Sequence, residues 1–498
     1  MTITIEDIST FCKKKGFVFQ SAEIYGGSSG FFDYGPLGVE LKNNIKNHWW
    51  KRFVQSRPDV VGIDGSLISN EKIWEASGHL TGFSDLLVEC VKCGKNHRAD
   101  HLVEDAIKKP MDGIEAEEIN NLIKKHQIKC PNCKGDFKES KSFNLMFPVQ
   151  VGADKTKDST YYLRGETAQM IFSIYKNIID TARVKLPFGI AQIGKAFRNE
   201  ISPRDFIFRV REFEQMEIEF FIKPEETKCQ FLESKHKNFK FNFLSESNQN
   251  QNVEEKEVKM SDLISDKLLG EWHAYWLTES FQWFLDIGIK KENLRIRQHM
   301  ADELSHYSSV TFDIEYHYPF GWKEIHGNAN RGQFDLKQHM EHSKKSMEIH
   351  DQETNTKMIP RVIEPSWGVE RTFLTAIIDS YVDDEKRGNI VLKLNPKIAP
   401  IKLAVFPLVN KLNDNAKEVY DLLKEDFVST FDKGGSVGRR YARADEQGIP
   451  YCITFDFDSL EDKSVTIRDR DTTEQIRVKI EDLTIKISNL LKGTEKFE

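Results

Sequence analysis

Arg198, Asn199 and Glu200, and after a short gap Phe208, Arg209, Val210, Arg211, Glu212 and Phe213, bring guanidinium groups, carboxylates and aromatic rings into one stretch. Arginine forks match phosphate oxygens, and a phenylalanine face suits a stacked base. Gly189 to Glu200 and Phe208 to Phe220 both alternate, which predicts a long β-hairpin turned by Ile201-Ser202-Pro203-Arg204-Asp205. Alternation puts Arg209, Arg211, Phe213, Gln215 and Glu217 on one face. Phe208, Val210, Met216, Ile218 and Phe220 make the core side, interrupted by Glu212 and Glu214. A strand face with two arginines, a ring and a carboxylate is costly unless something charged and flat binds there; the plainer reading is a polar face open to water.

Phe197-Arg198-Asn199-Glu200 followed by Arg211-Glu212-Phe213-Glu214-Gln215 resembles the second signature motif of class II aminoacyl-tRNA synthetases. The longer run, Arg-Asn-Glu-Ile-Ser-Pro-Arg through Phe-Arg-Val-Arg-Glu-Phe-Glu-Gln, resembles the dimeric glycyl-tRNA synthetases among them. The resemblance implies that Arg198 contacts the α-phosphate of ATP, Glu200 reads the adenine amino group and Phe213 stacks on adenine. The strand from Phe208 to Phe213, with Arg209, would cover the nucleotide. Glu364-Pro365-Ser366-Trp367-Gly368-Val369-Glu370-Arg371 resembles the third motif, in which a glycine lets a helix start close to the ligand. Arg371 would then grip the γ-phosphate at a helix N-terminus. Alone, a Gly-x-x-Arg reads as a surface arginine in a salt bridge. Glu324, with Ile325 beside it, is the expected contact to Mg²⁺ and nucleotide. Arg198, Glu200 and Arg371 are thus the expected catalytic set. No enzyme nucleophile is needed, because the amino acid carboxylate attacks; catalysis reduces to positioning and charge stabilisation.

Glycine has no side chain, so a selective pocket must hold its ammonium and leave no room for a Cβ. Glu166, Glu217 and Glu364 are the carboxylates in the matching motifs, with Ser366 as a small polar neighbour. Leu163-Arg164-Gly165-Glu166-Thr167-Ala168-Gln169-Met170 departs from the family's run at Gly165 and Met170 but keeps the glutamate. Arg98, Phe213, Glu214, Gln215, Met216, Pro365, Trp367 and Gly368 complete the expected glycine-binding set. For Arg98 the plain alternative is a solvent arginine.

Around these residues the chain divides into segments. Residues 1–89 and 146–396 are expected to form an α+β catalytic core, an antiparallel sheet flanked by helices. Pro36 precedes a helical pattern from Val39 to Phe53, and resembles the first class II motif, which forms a homodimer interface in that family. The glycine-rich turn Tyr25-Gly26-Gly27-Ser28-Ser29-Gly30 lacks the Gly-Lys-Ser/Thr ending of a P-loop. Residues 90–145 are an inserted module with Cys90-x-x-Cys93 and Cys130-x-x-Cys133 around a polar helical stretch, Glu104 to Gln127. An odd total of seven cysteines argues against a disulfide framework. The two pairs read as a four-thiolate Zn²⁺ knuckle, or else as free or redox thiols. Residues 225–265 are rich in Lys, Asn, Glu, Ser and Gln and read as a solvated insertion or flexible loop. Trp272 to Phe284 reads as an aromatic helix.

After Pro396 and Pro400, residues 400–498 alternate β and α elements, an α/β domain. Gly434-Gly435-Ser436-Val437-Gly438-Arg439-Arg440-Tyr441-Ala442-Arg443 resembles the anticodon-binding domain of several class II synthetases. Arg439, Arg440, Tyr441 and Arg443, in a glycine-rich turn, would suit a single-stranded RNA loop; a solvated basic turn is the alternative.

The net charge of −7 gives no global attraction to nucleic acid, so RNA contacts must come from local patches. No secretory signal or membrane-length apolar run is evident, and a cytoplasmic protein is expected. Taken whole, the resemblance implies a homodimer that joins glycine to tRNA(Gly) through a glycyl-adenylate, using ATP with Mg²⁺ and releasing AMP and pyrophosphate. A sister synthetase for proline, threonine, serine or histidine would not need Glu166 and Glu217. A non-catalytic relative could have lost Arg198, Glu200 or Arg371. An adenylating enzyme that uses no tRNA would not need the C-terminal domain.

Overall fold

The computed structural model describes all residues except 1–2, 108–110, 112–113, 154–158, 302, 304–307, 352–353 and 498. Its largest sheet is built from β1 (Val60–Ile63), β2 (Phe188–Phe197), β3 (Glu212–Ile222), β4 (Lys240–Leu244), β5 (Lys256–Lys259), β6 (Leu294–Gln298), β7 (Thr311–Tyr318), β8 (Gly321–Gly332) and β9 (Arg361–Gly368). The order is β5-β4-β6-β7-β8-β9-β3-β2-β1, antiparallel except for β4 with β6 and β1 with β2.

Alternation along β3 decides what each face does. Met216, Ile218 and Phe220 point to one side, where Phe220 lies 5.1 Å (ring centroids) from both Trp272 and Trp276. Here the helices are α1 (Pro36–Trp50), α2 (Ala168–Ala182), α3 (Glu271–Asp286), α4 (Phe334–Ser343) and α5 (Val369–Ser380). Trp367 of β9 and Trp49 and Phe53 join the same aromatic core. On the opposite side Phe188, Ile190, Phe221 and Val362 pack against Phe172 and Tyr175 of α2 and Leu336 of α4. That second face is apolar at one end and carries Glu217, Glu219, Glu364 and Ser366 at the other.

Helix α1 begins with Pro36 at its first position, where the missing N–H costs nothing. Leu37, Leu41, Ile45 and Trp49 recur every four residues and are buried. A Cβ at Gly38 would come within 1.9 Å of the Phe17 carbonyl oxygen, so the close approach of this helix to the chain before it demands glycine. The helix runs from residue 36 rather than 39, and residues 51–55 close it as a π turn.

Three expectations are corrected. The second arm of the hairpin starts at Glu212, not Phe208. Asp205 and Phe206 both take positive φ, 59° and 57°, and the chain from 198 to 211 loops out, held by Arg198 N–H to Arg211 C=O (3.0 Å) and Arg211 N–H to Gly30 C=O (2.8 Å). Residues 225–265 are not a solvated loop: β4 and β5 extend the main sheet, and Phe241 and Phe243 are buried beneath it. The stretch after Gly434–Gly435 is a helix rather than a basic turn.

That helix belongs to a second sheet made of β10 (Leu403–Pro407), β11 (Ser429–Phe431), β12 (Tyr451–Phe455), β13 (Ser464–Asp469) and β14 (Gln475–Lys479), in the order β11-β10-β12-β13-β14. Helices α6 (Asn413–Leu423) and α8 (Leu483–Lys492) cover one face and α7 (Val437–Glu446) the other. Between residues 84 and 144 a three-stranded sheet and two helices, Ala99–Ile107 and Ala116–Lys125, replace the single helical stretch expected there; 108–110, 112 and 113 lie outside the described residues.

Candidate active site

Register sets the floor of the cavity that the motif residues share. Gln192, Glu217, Ser366, Gly327 and Asp313 are successive partners across β2, β3, β9, β8 and β7, one row on the α2 face. Gly327 contributes no side chain; a Cβ there would lie 3.8 Å from both Asp313 Oδ1 and Glu324 Oε1. Those two carboxylates therefore converge above an open stretch of backbone. The cavity measures about 270 Å³.

At one end stand the groups suited to a nucleotide. Arg198 donates to the Gly165 carbonyl (3.1 Å) and lies 5.1 Å from the Phe83 ring centre and 5.3 Å from that of Phe213. Glu200 is 8% exposed, and its Oε2 has no protein hydrogen-bond partner although it borders the cavity. An orphaned buried carboxylate oxygen is costly, and an exocyclic amine from a ligand would satisfy it. Arg209 is held by His101 (3.1 Å). Arg371, in the first turn of α5, lies over Phe208 and pairs with Glu324 (2.9 Å). Burial opposes the ionised form of Glu324, but Arg371 outweighs it and lowers the pKa. The starts of α5 and β3 are tied together from below: Lys42 of α1 bridges Glu370 (2.6 Å) and Glu214 (2.8 Å).

The other end is acidic. Glu217 accepts from Ser366 Oγ (2.8 Å), Gln215 Nε2 (2.6 Å) and the Thr167 hydroxyl. Glu364 accepts from Arg331 (2.7 Å), whose remaining nitrogens hold Asp335 at 2.8 Å twice. Glu166 faces Gln169 (3.0 Å), His79 (3.5 Å) and Arg331 (3.6 Å). Burial would raise Glu166, but His79 and Arg331 hold its pKa below the usual carboxylate range. Burial and neighbouring carboxylates win at Glu364, which is pushed up to about 8, and at Glu217, which is also raised.

The structure thus brings Arg198, Glu200, Phe208, Arg209, Val210, Phe213, Glu324, Gly368, Glu370, Arg371, Glu166, Gln215, Glu217, Glu364 and Ser366 to one cavity. Other expected residues lie elsewhere. Met216, Ile325, Trp367 and Val369 are in the aromatic core on the far face, and Pro365 is buried. Glu212 pairs with Lys195, and Asn199 uses its N–H on the Leu145 carbonyl. Arg211 donates to the carbonyls of Glu200 (3.0 Å) and Ser29 (2.7 Å), so it shapes the loop rather than lining the cavity. Arg98 is clamped by Asp100 (2.7 Å) and Asp85 (3.0 Å) and is not among the residues that line the cavity.

Sequence reasoning missed His299 and Asp313, a pair at 2.7 Å on the cavity wall, and the supporting cation Arg331. Asp313 on β7, Arg331 on β8 and His299 just beyond the end of β6 reach the site through the strand order, which local sequence does not reveal.

The four knuckle cysteines converge: their sulfurs all lie within 4.8 Å of one another. Gly94 and Lys134 take positive φ at equivalent turns, and a Cβ at Gly135 would sit 3.1 Å from Cys90 Sγ. Four thiols at this spacing fit a tetrahedral zinc ion.

In the C-terminal sheet only part of the expected RNA set is free. Arg440 is 3% exposed and donates to the Pro407 and Gly435 carbonyls; Tyr441 bonds Thr454 (2.7 Å). Arg443 pairs with Asp432 (2.6 Å), while Arg439 is exposed on α7. Arg440 and Tyr441 are thus spent on packing α7, which corrects the basic-turn reading.

A family model described as the tRNA synthetase class II core domain (G, H, P, S and T) matches residues 147–381, and an anticodon binding domain model matches residues 402–490. The chain is 47% identical over 498 residues to a glycine–tRNA ligase of Caldanaerobacter subterraneus subsp. tengcongensis, covering 98% of this chain and 99% of the relative. It is 46% identical over 492 residues to that of Geobacillus thermodenitrificans, covering 97% of each. Its fold is similar to a prolyl-tRNA synthetase from Cryptosporidium parvum solved with halofuginone and AMPPNP, with TM-score 0.60 and 14% identity over 99% of this chain and 76% of that one.

Proposed function

This chain belongs to the glycine–tRNA ligases of the class II aminoacyl-tRNA synthetases, and from that membership we propose how its residues divide the work. The enzyme joins glycine to tRNA(Gly) at the expense of ATP, through glycyl-adenylate. A glycine carboxylate oxygen attacks the α-phosphorus, and the bond to pyrophosphate breaks. A terminal ribose hydroxyl of tRNA then attacks the glycyl carbonyl, and AMP leaves.

The observation that carries the reading is the single cavity with phosphate-binding arginines at one end and a carboxylate-lined pocket at the other. Arg198 neutralises charge on the α-phosphate as the fifth bond forms. Its guanidinium is preset by the Gly165 carbonyl and two aromatic rings, so little reorganisation is needed at the moment of reaction. Arg371 exchanges Glu324 for the terminal phosphates. Glu200 reads the adenine amino group, and Phe213 supplies an aromatic wall. Glu324, with Asp313 converging on it, would hold Mg²⁺, which neutralises phosphate charge when bound. Glu217, immobilised by three hydrogen bonds, receives the ammonium with Glu166 and Glu364. Ser366 and its row neighbours leave space for a hydrogen on Cα. Rejecting one extra methyl in this way is worth about 1–3 kcal/mol.

Residues 1–89 and 146–396 serve as the catalytic domain, 90–145 as a zinc-stabilised module through Cys90, Cys93, Cys130 and Cys133, and 400–498 as the reader of the anticodon, with Arg439 in RNA contact. Two copies pair through the region of Pro36; Ile24 and Tyr25, 87% and 85% exposed before a glycine turn, support an apolar partner surface there. A cytoplasmic location is in keeping with these substrates. No described helix is long and apolar enough to cross a membrane.

Amino-acid-dependent ATP–pyrophosphate exchange over a panel of amino acids tests the assignment. Glycine alone should support exchange, and Arg198→Ala should cut it by about 100-fold or more. Exchange with another amino acid, or none in folded Mg²⁺-supplied protein, would refute it.

A further inference from the structure

Glu219, one position inward from the pocket on the same face of β3, is 0% exposed, and neither of its carboxylate oxygens has a hydrogen-bond partner. Glu217 and Glu364 line the cavity, and Glu219 does not. One oxygen from each of Glu217, Glu219 and Glu364 lies within 4.8 Å of the other two. Three carboxylates so close, out of water, do not all stay ionised.

Charges on the surrounding elements do not resolve the excess. The loop before α2 adds Glu166, and α4 adds Asp335. Against these stand Arg331 from the end of β8 and His79. Arg331 is committed to Asp335 and Glu364, and His79 to Glu166. Gln169 and His339, which close the α2 and α4 side, hydrogen-bond each other (2.9 Å). Resting on the reading of this cavity as the glycine pocket, we infer that Glu217, Glu219 and Glu364 share a proton in the empty site, that Glu219 is its donor, and that the ammonium of arriving glycine displaces it to solvent. One cation replaces another at the three glutamates, so the charge balance of that cluster is kept when the ammonium arrives. Burial and the adjacent Glu364 push Glu219 well above the ordinary carboxylate range, in keeping with a proton held in the empty site.

The linkage has a definite sign. The filled site holds fewer protons than the empty one, so glycine affinity rises with pH and levels off once the empty site has titrated. Release of one proton corresponds to about a tenfold fall in KM for glycine per pH unit, with KM for ATP as the internal reference.

Two measurements on the full-length enzyme decide it. Calorimetric titration with glycine in phosphate and in Tris at equal pH should give heats that differ by the difference between the two buffers' ionisation heats times about 0.5–1 proton released. KM for glycine in pyrophosphate exchange, from about pH 6 to about pH 8.5, should fall in the wild type and be flat in Glu219→Gln. Identical heats in the two buffers, or the same slope in Glu219→Gln as in the wild type, would overturn the proton exchange. The wild-type calorimetry stands whether or not the variant folds. Absence of any glycine binding or exchange in the wild type would instead overturn the glycine-pocket reading.

Discussion

Replacing Arg331 by methionine should destabilise the catalytic sheet in a pH-dependent way. Arg331 is 1% exposed and makes three short hydrogen bonds, two to Asp335 and one to Glu364, with Glu166 at 3.6 Å. Removing one partner of a buried ion pair costs about 3–5 kcal/mol, because the charges left behind have neither water nor a counter-ion. Methionine keeps most of the volume, so little of the loss is a cavity. The stranded carboxylates would bind protons more tightly in the folded protein than in the unfolded chain. A carboxylate with a raised folded pKa adds stability in full below its unfolded value and loses it as pH rises through the folded one. The penalty should therefore be largest near about pH 8 and smaller near about pH 6. Urea unfolding followed by tryptophan fluorescence reads this directly, since Trp272, Trp276, Trp283 and Trp367 are buried in the aromatic core of the main sheet. A penalty under about 1 kcal/mol, or one equal at both pH values, would refute the role given to Arg331.

Arg371→Ala should lower kcat/KM for ATP by about 100-fold or more while leaving the thermal midpoint near wild type, as measured by exchange kinetics and calorimetry. Ser366→Ala removes one of the three hydrogen bonds that Glu217 accepts, worth about 0.5–1.5 kcal/mol, so KM for glycine should rise by roughly 2- to 10-fold with KM for ATP unmoved. Cys133→Ser should abolish zinc, measured by plasma mass spectrometry at about one ion per wild-type chain, and lower the midpoint of the module's unfolding. Arg439→Ala should weaken tRNA binding and reduce its salt slope by about one, with stability unchanged; Arg440→Ala should do the reverse, lowering stability of the C-terminal domain first.

Much of the catalytic end was legible because its groups are contiguous in the chain. Arg198, Glu200, Phe213 and Arg371 stand beside turn and helix-start signals that fix their positions locally. The supporting groups were not. Arg331 looks like any surface arginine until β8 is placed between β7 and β9, and Asp335 meets it because α4 starts at Phe334, directly after β8 ends at Gly332. Arg440 was misread for the same reason. Its acceptor, the Pro407 carbonyl, lies at the end of a strand far back in the chain, so a string of arginines after glycines gave no hint of burial. In residues 225–265 a signal was present but overridden. Phe239, Phe241 and Phe243 alternate as a strand should, yet the polar composition around them suggested solvent. Composition averages over a segment, whereas a strand with one face on the core needs apolar residues on that face only.

The row Gln192–Glu217–Ser366–Gly327–Asp313 has a consequence for the fidelity of translation. Because side chains alternate, a slip of one residue between β3 and β9 would turn Glu217 into the aromatic core and bring Met216 to the pocket. Such a molecule could not bury a glutamate among tryptophans and would not hold together. Specificity and foldability therefore rest on the same register: a wrongly assembled copy charges nothing, rather than charging the wrong amino acid.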